Sequence, residues 1–230
     1  MILAVVSGKG GVGKTTLSYE LAAATGAVAV DGDLGMADLP NGRGPDLHDV
    51  LAGRAAVAAA VRGGPVAVVT CGRSLAGARA ADAAELADAL RTVERRHGTV
   101  VVDCPAGMRA DVGVPLAVAD AALVVLAPDR FAVADAVRTR ELARELDAGV
   151  VAVAVNRVVR EAPATAICEA LGAPAVSVPA DPRLSRSVAA ERPVVETHPD
   201  SDPAAAVLAL SERVASVEGT RSDGAPERPT

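Results

Sequence analysis

Seven short runs of apolar, largely β-branched residues lie at 2–6, 27–30, 66–70, 99–102, 121–127, 149–155 and 174–178, and each is continuous rather than alternating. That pattern narrows the possible folds sharply, because a strand that is apolar at every position is buried on both faces. Between most of the runs lie Ala- and Arg-rich stretches, such as 80–96, 130–146 and 161–171, that read as helices. Strand and helix in alternation predict parallel strands joined by crossovers, with helices on both faces of the sheet. The expected fold is therefore α/β: a single domain on a mostly parallel central sheet of about seven to eight strands. Ligands of such sheets bind beyond the carboxyl ends of the strands, so the residues that close each run are the candidates for function.

The first run is followed by SGKGGVGKTT, residues 7–16. Gly8, Gly13, Lys14 and Thr15 satisfy G-x-x-x-x-G-K-[ST], in which main-chain N–H groups surround phosphates and the lysine reaches the outer ones. A strand precedes this loop and a helical stretch, TTLSYELAAA, follows it, so N–H groups and the helix dipole converge on an anion. Lys9 and Lys14 are the only lysines in the chain, against 21 arginines. A lysine ammonium is compact enough to sit among phosphate oxygens in a narrow turn, which the wide guanidinium fork is not.

Other runs also end in polar residues. VAVDGDLG places Asp31 and Asp33 after the second, TVVVDCPAG places Asp103 after the fourth, and VAVAVNRV places Asn156 and Arg157 after the sixth. Magnesium prefers hard oxygen ligands and is commonly held by one or two carboxylates, several waters and substrate phosphates. The Thr15 hydroxyl and Asp103, the strand-end acid, form the expected pair for it. Asp31 and Asp33 alternate on their strand end, so at most one of them faces an attacking water.

The chain has 230 residues, half of them apolar, enough to bury a core without a disulfide or metal staple. Cys71, Cys104 and Cys168 are widely spaced and odd in number, which excludes a disulfide framework or C-x-x-C metal site and fits a reduced cytoplasm. No apolar run approaches the roughly 20 residues of a membrane span. A formal charge of −6 and only two aromatic residues, Tyr19 and Phe131, argue against a nucleic-acid surface. His48, His97 and His198 match no ligand spacing and read as surface or capping side chains. Residues 203–217 predict a last helix, and the polar stretch after it a disordered tail.

These residues carry a family resemblance. GKGGVGKTT, with its extra lysine at position 9, resembles the deviant P-loop of the MinD and ParA ATPases. DGDLGMADL, DLHDVLAG, DCPAG, NR and VPADPRLSRSVAAERPVV resemble later blocks of MinD-like proteins, especially archaeal ones. The resemblance implies a MinD-like P-loop ATPase domain over residues 1–218 with a tail at 219–230. It implies ATP and Mg²⁺ as cofactors, held by Gly8, Lys9, Gly10, Gly11, Val12, Gly13, Lys14, Thr15 and Thr16. It further implies that Lys9 reaches a partner subunit's nucleotide across a two-fold axis and that Asp33 positions the hydrolytic water and belongs with Thr15 and Asp103 at the metal. Asp103 would act on Mg²⁺ through water. Asn156, Arg157, Pro179 and Asp181 would face the adenine, and Asp38 would lie in the first switch region.

The activity so implied is slow, partner-stimulated ATP hydrolysis catalysed by Lys9, Lys14 and Asp33, in an ATP-dependent homodimer that recruits an activating or cargo protein and positions structures such as the division site. Membrane-binding members end in a basic amphipathic helix; here Asp223 and Glu227 stand against Arg221 and Arg228 with no apolar stripe, so any membrane contact would run through a partner. The alternatives are a ParA-like DNA-partitioning protein, a metal-cluster carrier or ATP-dependent biosynthetic enzyme on the same scaffold, and a scaffold that binds nucleotide without hydrolysis.

Overall fold

The first strand, β1 (Ile2–Val6), is buried at every position and alternates its side chains between two cores. Ile2, Ala4 and Val6 enter one cluster of apolar residues, Leu3 and Val5 the other. In the computed structural model, which describes residues 1–35, 37–107, 110–129, 131–160 and 164–222, β1 lies inside a seven-stranded sheet. The remaining strands are β2 (Val28–Asp31), β3 (Ala67–Val69), β4 (Val100–Asp103), β5 (Ala121–Leu126), β6 (Gly149–Val158) and β7 (Ala175–Pro179). Their order is β3-β2-β4-β1-β5-β6-β7, and every pairing is parallel. All carboxyl ends therefore share one edge. There Val5 is in register with Asp103, and Asp103 with Asp31.

Helices cover both faces. They are α1 (Lys14–Thr25), α2 (Leu47–Leu51), α3 (Val57–Ala60), α4 (Leu75–Ala80), α5 (Leu86–His97), α6 (Ala110–Val118), α7 (Ala132–Glu145), α8 (Ala164–Leu171), α9 (Pro182–Ala190), α10 (Val194–Thr197) and α11 (Asp202–Ser222). The core around Leu3 and Val5 is closed by α1, α9, α10 and α11, through Leu17, Leu21, Leu184, Val194, Val207 and Leu210. The opposite core is closed by α2, α3 and α5 to α8, through Leu51, Leu90, Leu116, Ala136 and Ile167 among others.

Local chemistry sets the ends. Gly26 stops α1 in the left-handed region at φ 66°, and its N–H reaches back to Ala22 and Ala23 carbonyls. The segment expected as one helix over 80–96 is instead α4, a 3₁₀ turn at Ala83–Glu85 and α5, because Asp82 caps a new start with its carboxylate on the Ala84 N–H. The arginines at 91, 95 and 96 lie opposite the buried Leu86, Ala89, Leu90 and Val93 of α5. The last helix runs to Ser222, past the expected end at 217, so residues 219–222 of the expected tail are helical. Residues 223–230, including Asp223 and Glu227, lie outside the described residues. Of the three histidines, His48 departs from expectation, since it is buried at 1% exposure. The three cysteines are free thiols.

One buried acid ties the two ends of the Leu3 core together. Glu20 of α1 is fully buried, and its carboxylate accepts the N–H groups of Val194 at 2.9 Å and Val195 at 3.3 Å. Pro193, which precedes α10, offers no side-chain cap, so Glu20 supplies it from another helix. Glu20→Ala leaves these donors without a partner, and we expect a loss of about 2–3 kcal/mol in urea unfolding, with Glu20→Gln, which keeps one acceptor oxygen, losing less.

Candidate functional site

The turn between β1 and α1 wraps around the N-terminus of α1. Gly13, the N-cap, sits in the left-handed region at φ 98°; α1 has no side-chain cap and no acid in its first turn. The first N–H groups of a helix have no intrahelical acceptor, so those of α1 face the mouth of the loop. The loop is fastened from three sides. The Ser7 hydroxyl donates to the Lys9 carbonyl at 2.8 Å, and the Gly107 N–H donates to the Ser7 carbonyl at 2.9 Å. From β6, the Asn156 amide donates to the Val12 carbonyl at 2.8 Å. A Cβ at Gly13 would collide with that amide, and one at Gly8 would lie 2.7 Å from Asp135 Cβ, so the loop is glycine where neighbours press closest.

Lys14 is 9% exposed and Asp103 3%. The Ser18 hydroxyl donates to Asp103 Oδ1 at 3.5 Å, and the Thr15 hydroxyl lies near enough to that carboxyl to lower it. Burial pushes the Asp103 carboxyl up to about 6, against the pull of Thr15 and Lys14. Beside it, burial and the charge of Asp103 push Asp31 up to about 8. Asp31 is fully buried and faces the protein: its two oxygens accept the N–H groups of Asp33 at 3.3 Å and Asp38 at 3.2 Å. Of the two acids that close the second run, Asp31 thus organises the loop and Asp33 rides on it. Asp38 is also raised, first by burial and then by Asp33.

The site thus gathers four mutually interacting carboxylates, with the buried Lys14 acting on two of them, Asp38 and Asp103. Among the described residues no three His, Cys, Asp or Glu side chains converge to hold a metal unaided. A hydroxyl and a buried acid beside an uncapped helix N-terminus fit Mg²⁺ carried in with phosphate, since that ion keeps several waters and takes few protein ligands. The nucleotide's phosphates likewise fit the N–H groups and Lys14.

The other expected residues divide. Asn156 at 5% exposure, Arg157, Pro179 and Asp181 line one cavity together with Gly13 and Thr16. Within it, Asn156 is engaged with Val12 and with the Arg157 N–H, and Arg157 takes φ 62°. Asp181 caps α9, and its carboxylate is held by the Arg183 N–H and guanidinium, which lowers it to about 2. It is turned into its own helix. Lys9 stands apart from the cradle: its side chain is 59% exposed and its ammonium pairs with Asp129 at 3.0 Å. A second cleft of about 540 Å³ adjoins the cavity through Thr16 and Ser185 and is lined also by Thr15, Asp38 and Arg73. Ser18, Arg73 and Asp129 were not singled out from sequence. Ser18 alone left a signal there, one helical turn after Thr15 on the same face.

A glycine-rich loop between an inner parallel strand and a helix N-terminus, with a strand-end acid against the hydroxyl after the lysine, defines a P-loop nucleotide-binding domain. The chain belongs to the CobQ/CobB/MinD/ParA nucleotide binding domain family, whose model matches residues 3–194. An uncharacterised ATP-binding protein of Methanocaldococcus jannaschii is 32% identical over 228 residues, covering 92% of this chain and 86% of that protein. Among solved structures, the septum site-determining protein MinD of Pyrococcus horikoshii in complex with Mg-ADP has a TM-score of 0.87 at 27% identity, covering 96% of this chain and 98% of that one. The cell division ATPase MinD of Pyrococcus furiosus has a TM-score of 0.84 at 28% identity, covering 94% and 98%.

The Asp103 shift sets a pH dependence. Metal binds the deprotonated carboxylate, so apparent Mg²⁺ affinity in the presence of nucleotide is expected to be flat above pH ~6 and to weaken as pH falls below it. Folding stability responds in the opposite sense: the raised carboxyl favours the folded state at low pH and loses that contribution as pH rises from its ordinary value through about 6. Titration calorimetry of Mg²⁺ with ADP between pH 5 and 8 checks the first; Asp103→Asn should reduce the dependence to that of the nucleotide's own phosphate, which titrates at about 6.

Proposed function

We propose that this protein is an ATP-hydrolysing switch that dimerises around ATP and Mg²⁺. The observation that carries the proposal is the division of labour between the two lysines: Lys14 is buried inside its own loop, while Lys9 is held outside it on an exposed face. Residues Gly8 to Thr16 bind the phosphates through the main chain, and Lys14 neutralises the outer ones. Thr15 and Asp103 hold Mg²⁺, which when bound draws charge from the phosphate oxygens. Asp33, free of the core and on a loop over that edge, orients the attacking water. The cavity of Asn156, Arg157, Pro179 and Asp181 takes the base. Lys9 acts on the partner subunit's nucleotide, where a cation directed at developing charge raises the rate.

The family description spans biosynthetic and positioning proteins, and the MinD structures favour the second. The reading extends to a cytoplasmic protein whose ATP-bound dimer recruits an activating or cargo protein and positions a structure such as the division site. No helix among the described residues is long and apolar enough to cross a membrane, and where a membrane is the working surface the reading has it reached through that partner.

Sizing chromatography with ATP and Mg²⁺, alongside phosphate release, tests the reading. Lys14→Ala should bind no nucleotide. Lys9→Ala should bind ATP as a monomer and neither dimerise nor hydrolyse, a loss on the order of 10³-fold. Asp33→Ala should retain ATP and accumulate the dimer. Normal dimerisation and turnover by Lys9→Ala would defeat the sandwich.

A further inference from the structure

A buried histidine on the far side of the Asp33 loop has no place in the account so far. His48 lies on α2, whose start is fixed by a reciprocal cap between Asp46 and Asp49. Leu47 and Leu51, both buried, seat this short helix in the core, and the Leu47 N–H bonds the Thr70 carbonyl at 2.8 Å beyond β3. The position of the imidazole is therefore set by the sheet and not by the loop it touches. Room for the ring is made by glycines: a Cβ at Gly72 or Gly77 would fall 3.0 or 3.2 Å from its Nδ1.

Among the described residues the imidazole makes one bond. Nε2 lies 2.9 Å from the Leu34 carbonyl, and since a carbonyl only accepts, Nε2 carries a proton and donates it. Nδ1 is buried without a partner among the described residues. An apolar side chain at 48 would avoid that unpaired nitrogen, and would lose the bond to Leu34.

What that bond grips decides its consequence. The Leu34 carbonyl and the Gly35 N–H belong to one peptide group, which is trans, so they point in opposite directions. The Gly35 N–H donates to Asp33 Oδ1 at 3.2 Å. A continuous line therefore runs from His48 Nε2–H to the Leu34 carbonyl, through one rigid peptide plane, to the Asp33 carboxylate. Hydrogen bonds in series polarise one another, so the donor on His48 strengthens the hold of Gly35 on Asp33. The other fastenings of this stretch come from Asp31, at 3.3 Å to the Asp33 N–H and 3.2 Å to the Asp38 N–H, and act on the main chain alone.

We propose that His48 is a positioning residue that orients the Asp33 carboxylate through the Leu34–Gly35 peptide. The inference rests on the role given to Asp33 above, and its test has one readout that does not. His48→Leu keeps apolar bulk and removes the donor; His48→Gln keeps an amide donor near the place of Nε2. In the full chain, His48→Leu should lower kcat about 10-fold or more while the dissociation constant for ATP with Mg²⁺ stays within about 2-fold, and His48→Gln should recover most of the loss. Asp33→Ala combined with His48→Leu should be no slower than Asp33→Ala alone, because the histidine acts only through that carboxylate. Amide exchange of the 33–38 segment should speed up in His48→Leu with the exchange of β1 and β4 unchanged. Normal kcat in His48→Leu, or multiplying losses in the double variant, overturns the proposal. If the parent hydrolyses no ATP, or Asp33→Ala leaves turnover untouched, the proposed function fails instead. The exchange rates still decide about His48: no acceleration at 33–38 in His48→Leu means that the peptide is not held from that side.

Discussion

Parallel pairing is the constraint on which everything else here depends. Because β1 is hydrogen-bonded on one side to β4 and on the other to β5, the loop that leaves it emerges between the ends of two neighbours. Asp103 comes to lie in register with the last turns of β1, and Asp31 one strand further. No antiparallel arrangement would bring the ends of β1, β2, β4 and β6 to one edge. The apolar packing of both cores holds that register, so burial far from the edge fixes where the polar residues stand.

The charge balance of the edge follows. Asp31, Asp33, Asp38 and Asp103 act on one another here, with Lys14 acting on Asp38 and Asp103, and three of the four carboxyls are raised, with burial the first cause in each. A folded chain tolerates such crowding by keeping protons or by recruiting cations. Asp31 is removed from that competition, since its oxygens are spent on the main chain of the loop. Asp103 remains within reach of a hydroxyl and a lysine. The edge is thus prepared for a divalent ion without being able to hold one alone.

Much of this was legible in the sequence, and the reasons differ from residue to residue. The seven strands stand within a few residues of the seven apolar runs, because burial on both faces leaves an unbroken signal. The phosphate loop was legible because its glycines and lysine sit at fixed spacing. α6 gave no helical signal, as Gly113 and Pro115 both lie inside it. His48 reads from sequence as a surface or capping side chain, since nothing in its neighbours marks the inner face of a five-residue helix. The pairing of Lys9 with Asp129 joins residues 120 positions apart and has no local trace. Asp181 lines one cavity with Pro179, but its capture by Arg183 depends on a rotamer that spacing does not encode.

Asn156 has a consequence for anyone who would redesign this pocket. It lines the cavity beside Arg157, Pro179 and Asp181, yet its amide is the strut beneath Val12. On the function proposed above, in which this cavity takes the base, base preference and phosphate grip share a side chain. A substitution at 156 made to admit a different base would also slacken the turn that carries Lys14, so selectivity and affinity are coupled there by construction, and a redesign must work from Ser185 or Arg157 to separate them.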